Sequence, residues 1–200
     1  YEAITGSFTA EEEIKQEELE ENQEDIVKIV IAGRPNVGKS TFINALIKDQ
    51  RLLAGPEAGM TRESIEIKWQ YKGKKMVLID TAGLRKKNVV NEKLEKLSTS
   101  DTIDSIKYAN IVVLMLESTK ALEQQDLIIA NHVINEGRGL ILVINKADLI
   151  EDKKKFKEEL EYKLSTHLPH IKNVPVIFTC AIKSQNLNMA LEAAIKTYDI

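Results

Sequence analysis

Apolar residues in this chain fall into short dense runs separated by amphipathic stretches. "IVKIVIA" (26–32) is rich in β-branched residues and ends at Gly33, which predicts a buried parallel strand. "STFINALI" (40–47) carries its apolar residues at helical spacing. "SIEIKWQY" (64–71) alternates apolar and polar, as a half-exposed edge strand does, and "GKK" (73–75) turns it into "MVLID" (76–80), so a hairpin is expected. Residues 84–100 are polar and weakly patterned, which predicts a loop leading into a helix. Strand and helix then alternate. The strands are "IVVLMLE" (111–117), "LILVIN" (140–145) and "VPVIFTC" (174–180), with helices near 121–136, 152–166 and 185–198.

Such alternation means βαβ units. The expected fold is α/β, a three-layer sandwich. Its six-stranded sheet is mainly parallel with one antiparallel edge strand, and helices cover both faces. Ligands of open sheets bind at the carboxyl ends of the strands. The chemically informative stretches all follow strands: Gly33 to Ser40, Asp80 to Gly83, Asn145 to Asp148, and Cys180 with Ala181.

"GRPNVGKS" (33–40) fits G-x-x-x-x-G-K-[ST] between a predicted strand and a predicted helix. The glycines let backbone wrap closely, and successive N–H groups point into a concavity suited to phosphates. The candidate wrap runs from Gly33 through Arg34, Pro35, Asn36, Val37 and Gly38 to Lys39, Ser40 and Thr41. Lys39 can reach the β- and γ-phosphates, and the Ser40 hydroxyl can ligate Mg²⁺. Asp80 ends a strand where such P-loop NTPases place a magnesium-holding acid, and the Gly83 N–H can contact the γ-phosphate. Thr61, in "GPEAGMTRES", is the candidate second magnesium ligand.

"NKAD" (145–148) selects the base. A carboxylate at Asp148 can accept from guanine N1–H and its exocyclic amine, whereas adenine would leave a buried carboxylate unpaired. Asn145 can bond the base and neighbouring loops, and the Lys146 stem can lie against the ring. The loop "TCAIK" contributes Cys180, Ala181 and Ile182 as candidate base contacts, with the Ala181 N–H expected at the guanine oxygen. These elements together specify binding of GTP or GDP.

Charge adds a boundary. Residues 1–25 hold ten acids against one base, Lys15, so the rest of the chain carries 27 bases against 21 acids, a net +6. The acidic lead reads as a solvated linker, giving a division into 1–25 linker and 26–200 GTP-binding domain. A body so mildly basic does not argue for nucleic-acid binding by itself. No run approaches a membrane span. The single cysteine, Cys180, fits a reducing cytoplasm. The start at Tyr1, with neither methionine nor signal peptide, and an end on a helical pattern suggest a piece of a longer chain.

These elements in this order are those of TRAFAC-class GTP-binding domains. "IVKIVIAGRPNVGKSTFINAL", "GPEAGMTRESI", "VLIDTAGLRKK" and "EQQDLIIANHVINEGRGLILVINKADLI" resemble the second GTP-binding domain of the Der family of bacterial ribosome-assembly GTPases over roughly 26–200. The resemblance implies a first GTP-binding domain before the acidic linker and a KH-like domain after. It also implies work on the large ribosomal subunit through its RNA and proteins. Three positions depart from the family pattern: Met60 for a threonine, Ala147 for a tryptophan and Cys180 for a serine.

Leu84 follows Gly83, where Ras-type hydrolases use a glutamine to orient water. GTPases similar to this chain, with an apolar residue there, hold K⁺ on an asparagine of the phosphate loop, which here is Asn36. Asn36, Lys39, Thr61 and Gly83 are therefore the catalytic candidates of a K⁺-stimulated GTPase. A nucleotide-gated binding module with little hydrolysis, or a related tRNA-modification GTPase, remain alternatives. His132, His167 and His170 lie outside every motif, and "KGKK" (72–75) and "KKKFK" (153–157) read as solvated faces.

Overall fold

The structure is a computed structural model that describes residues 26–49, 67–79, 97–169 and 173–200. The acidic lead, the candidates Thr61, Asp80 and Gly83, and with them Leu84 and His170, lie outside the described residues.

The strands are β1 (Ile26–Ala32), β2 (Ile67–Tyr71), β3 (Lys74–Leu78), β4 (Ile111–Glu117), β5 (Gly139–Asn145) and β6 (Val176–Phe178). The helices are α1 (Lys39–Asp49), α2 (Leu97–Tyr108), α3 (Gln124–Asn135), α4 (Lys153–His167) and α5 (Leu187–Tyr198). The strands form one sheet in the order β2-β3-β1-β4-β5-β6. Only β2 runs antiparallel, against β3. This is the expected sandwich. Because β3 lies on one side of β1 and β4 on the other, the chain reverses its winding about β1. A crevice opens at the carboxyl end of a strand at such a point.

Successive side chains of a strand face opposite ways, so β4 feeds two cores. Ile111, Val113 and Met115 pack on the face covered by α1 and α5, with Phe42, Leu187 and Ala194. Val112, Leu114 and Leu116 pack on the face of α2, α3 and α4, with Ile106, Ile129 and Leu160. Burial on both faces explains why β4 and β5 are unbroken apolar runs. Edge strand β2 instead alternates, with Ile67, Trp69 and Tyr71 turned inward and Lys68 and Gln70 exposed.

Two boundaries differ from expectation. The β2–β3 turn lies at Lys72 and Gly73, both at positive φ (50° and 85°), so Lys74 and Lys75 already belong to β3. Positive φ at both central residues gives the two-residue hairpin the twist that adjoining strands need. Strand β6 is shorter than 174–180. Pro175 has no N–H to give, though its carbonyl accepts from Leu142 N–H at 2.9 Å. At the other end Cys180 leaves the sheet to pair with Gln185. Helix α4 buries only Leu160, so the 153–157 basic run is solvated. Among the described residues no helix is long and apolar enough to cross a membrane.

Candidate functional site

The phosphate-loop sequence connects buried β1 to α1, and close packing dictates its glycines. Gly33 has φ 139°, and a Cβ there would lie 2.4 Å from the Met115 carbonyl oxygen of β4. Gly38 has φ 101°, and its Cβ would lie 2.2 Å from Asn145 Nδ2. No other residue fits either place without displacing a central strand or the buried Asn145 amide. Val37 is buried and anchors the turn, while Asn36 stands exposed at φ 63°. Helix α1 begins at Lys39, so its first N–H groups have no helical carbonyl to meet and face the loop's concavity. The Lys39 ammonium folds back over the loop and donates to the carbonyls of Gly33 (2.5 Å) and Arg34 (2.7 Å). Ser40 is half-buried in the first turn, and Thr41 is exposed.

Asn145, at the end of β5, is buried to 3% exposure and joins three loops. Its Nδ2 donates to the Val37 carbonyl at 2.8 Å. Its Oδ1 accepts from the Ala181 N–H at 3.1 Å and the Thr179 hydroxyl at 3.4 Å. A buried amide must be satisfied by its surroundings. The Ala181 N–H, expected at a guanine oxygen, is thus donated to Asn145 in this structure. Lys146 takes a left-handed backbone (φ 58°), and its ammonium meets Glu117 at 2.6 Å. Ser118 Oγ donates to the Lys146 carbonyl at 2.8 Å.

The Asp148 carboxylate lies at the surface. It is already paired, with Lys183 at 3.1 Å. The Cys180 thiol, and after it the Lys183 ammonium, hold the Asp148 carboxyl below the usual carboxylate range. Ile182 stands beside this pair, almost fully exposed.

The fold therefore brings 33–41, 145–148 and 180–182 to one edge of the sheet, as the order of motifs after strands implied. It also adds contacts that no motif marked. Arg34 pairs with Glu123 and, at 2.9 Å, with the fully buried Asp126 of α3, and it donates to the Lys120 carbonyl. Burial pushes the Asp126 carboxyl up, against the Glu123 N–H and Arg34, which draw it down. Only the E-x-x-D spacing of 123–126, a helix-start signal, could have hinted at this cluster.

Comparison with known proteins agrees with this arrangement. The chain is 54% identical over its full length to GTPase Der of Rickettsia africae and 55% identical to that of Rickettsia typhi. It spans less than half of these curated relatives, 45% of each. Among solved structures, Era in complex with MgGDPNP and a segment of 16S ribosomal RNA superimposes with a TM-score of 0.64 at 24% identity, over 86% of this chain and 57% of Era. The G domain of the T. maritima FeoB iron transporter gives 0.52 at 25% identity, over 86% of this chain and 98% of that domain. The family model described as 50S ribosome-binding GTPase matches residues 28–146, well over half of the chain, and the chain belongs to that family.

Proposed function

We propose that the chain binds GTP at the carboxyl edge of its sheet, hydrolyses it to GDP and phosphate, and uses this turnover to time a step in large-subunit assembly in a bacterial cytoplasm. Residues 26–200 would be the second GTP-binding domain of a longer protein, with the acidic 1–25 as linker to a preceding one and a KH-like domain after. The observation that carries the site is the Asn145 junction. One buried amide, at the start of the base loop, holds the phosphate loop by Val37 and the 180–182 loop by Ala181, so the two halves of a guanine-nucleotide site keep a constant spacing. The family description, 50S ribosome-binding GTPase, supports the ribosomal part of the reading.

The described residues fit the phosphates of a nucleotide. Gly33 and Gly38 leave a cradle that a Cβ would fill, and the Lys39 ammonium lies over it, ready to exchange loop carbonyls for phosphate oxygens. Ser40, Thr61 and Asp80 would hold Mg²⁺, which supplies positive charge to the phosphates. The Asn36 carbonyl would hold K⁺ in the same role. Lys39 draws charge from the β- and γ-oxygens, Gly83 N–H contacts the γ-phosphate, and backbone groups of 81–85 orient the attacking water. That water forms the new bond to the γ-phosphorus as the bridging oxygen leaves with GDP.

Lys39→Ala should weaken GDP and GTP alike, because both carry a β-phosphate. Thr61→Ala should mainly weaken GTP, because a loop threonine joins the metal when the γ-phosphate orders its loop. Titrating both nucleotides into each variant checks this, and equal losses in Thr61→Ala would remove Thr61 from the metal. Cosedimentation tests the ribosomal part. The chain should travel with large ribosomal subunits in a non-hydrolysable GTP analogue and be released in GDP. Equal binding in both states would end the timing role.

A further inference from the structure

We infer that the connector between β4 and α3 positions the phosphate loop, with Arg34 and Asp126 as its positioning residues. The inference rests on reading 33–40 as a phosphate site. The motif leaves its second position open to any residue, yet here that residue is an arginine with its side chain only 14% exposed. Its guanidinium meets three acceptors on the connector and the start of α3: Asp126 Oδ1 at 2.9 Å, the Glu123 carboxylate and the Lys120 carbonyl. A planar fork of five donors can satisfy three acceptors at once, which a lysine ammonium cannot do in one plane. Asp126 is fully buried, and its other oxygen accepts the Glu123 N–H at 3.0 Å, so the carboxylate is held from both sides.

The contact reaches the phosphate-binding group through the backbone. The carbonyls of Gly33 and Arg34 hold the Lys39 ammonium, so a shift of Arg34 moves the oxygens that aim Lys39. The same connector begins at Ser118, whose hydroxyl holds the Lys146 carbonyl, next to Glu117, which holds the Lys146 ammonium. It therefore braces the phosphate loop at one end and the base loop at the other. The Asn145 junction holds the phosphate loop at Val37, and the Arg34 side chain holds it three residues earlier.

A comparison of GDP with GMP tests the inference, since GMP lacks the β-phosphate that Lys39 meets. Arg34→Ala should weaken GDP roughly tenfold or more, while GMP, held by the base loop, changes by less than about twofold. Arg34→Lys, which keeps the charge but loses the fork, should fall between wild type and Arg34→Ala. Removal of one partner from a buried pair can unfold a protein, whereas replacing both by apolar residues is often neutral. The double variant Arg34→Met with Asp126→Leu leaves no unpaired buried charge and gives up only the helix-start bond to the Glu123 N–H, so it should stay folded, melting at most slightly lower than wild type, and still lose GDP preferentially. A stable double variant that binds GDP like wild type overturns the positioning role, as does an equal loss of GDP and GMP. A wild-type chain that binds neither would instead overturn the nucleotide reading beneath it.

Discussion

Asp148→Asn should reduce GTP affinity by roughly four orders of magnitude and bring xanthosine triphosphate into the site. A carboxylate accepts two hydrogen bonds, from guanine N1–H and the exocyclic amine. An amide at 148 keeps one acceptor for N1–H but turns an N–H donor toward the amine, leaving two donors face to face. Xanthine has a carbonyl where guanine has that amine, so the amide then pairs with it. The structure adds a condition. The carboxylate is already shared with Lys183 at 3.1 Å, and the Cys180 thiol also favours its charged form. Asp148 is thus ionised and ready to accept throughout the neutral range, with Lys183 competing for it at the surface. Competition binding with both nucleotides checks the prediction. An Asp148→Asn variant that still prefers GTP would show that the base is read elsewhere.

GTP turnover should be far faster in KCl than in NaCl, approaching the roughly 10³–10⁵-fold that an arginine supplies to Ras-type enzymes. Leu84 offers no side-chain group to orient water, and on the proposed reading a K⁺ held by Asn36 would help meet charge developing on the phosphates. Asn36 is exposed in the phosphate loop with φ 63°. That backbone gives a competing reason for the residue type, because asparagine tolerates the left-handed region better than most residues. Asn36→Gly separates the two reasons. Glycine adopts the same φ without strain but brings no side-chain carbonyl. The variant should keep GDP binding and lose the difference between the salts. Asn36→Ala should lose it too, with added strain at positive φ. Leu84→Ala should cost little. Equal rates in both salts would remove the ion from catalysis and favour a nucleotide-gated binding module.

The phosphate loop was legible because its constraints are local. Two glycines, a lysine and a serine at set spacing, between a β-branched run and a helical pattern, describe one turn of backbone. The edge strand was legible because "IKWQY" alternates, and β4 and β5 because burial on both faces leaves no room for polar residues. The β2–β3 turn was displaced because Lys72 at positive φ is a backbone state its residue type does not advertise. Strand β6 was overdrawn because Pro175 has no N–H for the ladder and Cys180 turns away to pair with Gln185, neither of which the apolar pattern shows.

The sequence by itself determined the fold class, the order of the described elements, and three of the loops that meet at one sheet edge, 33–41, 145–148 and 180–182. Periodicity and turn chemistry act over a few residues, and these features need nothing more. Only the tertiary structure decided which polar groups are used up inside the protein and which are left to face a ligand. Asn145 Nδ2 finds the Val37 carbonyl across 108 residues of chain, and Arg34 finds Asp126 across 92. No local pattern encodes such pairs, because their partners become neighbours only when the sheet closes around β1. Burial then makes each pairing obligatory. An unsatisfied amide or carboxylate in the interior is costly, so the packed chain brings Asn145 to both loops and Arg34 to α3, where a sequence motif shows only a spacing.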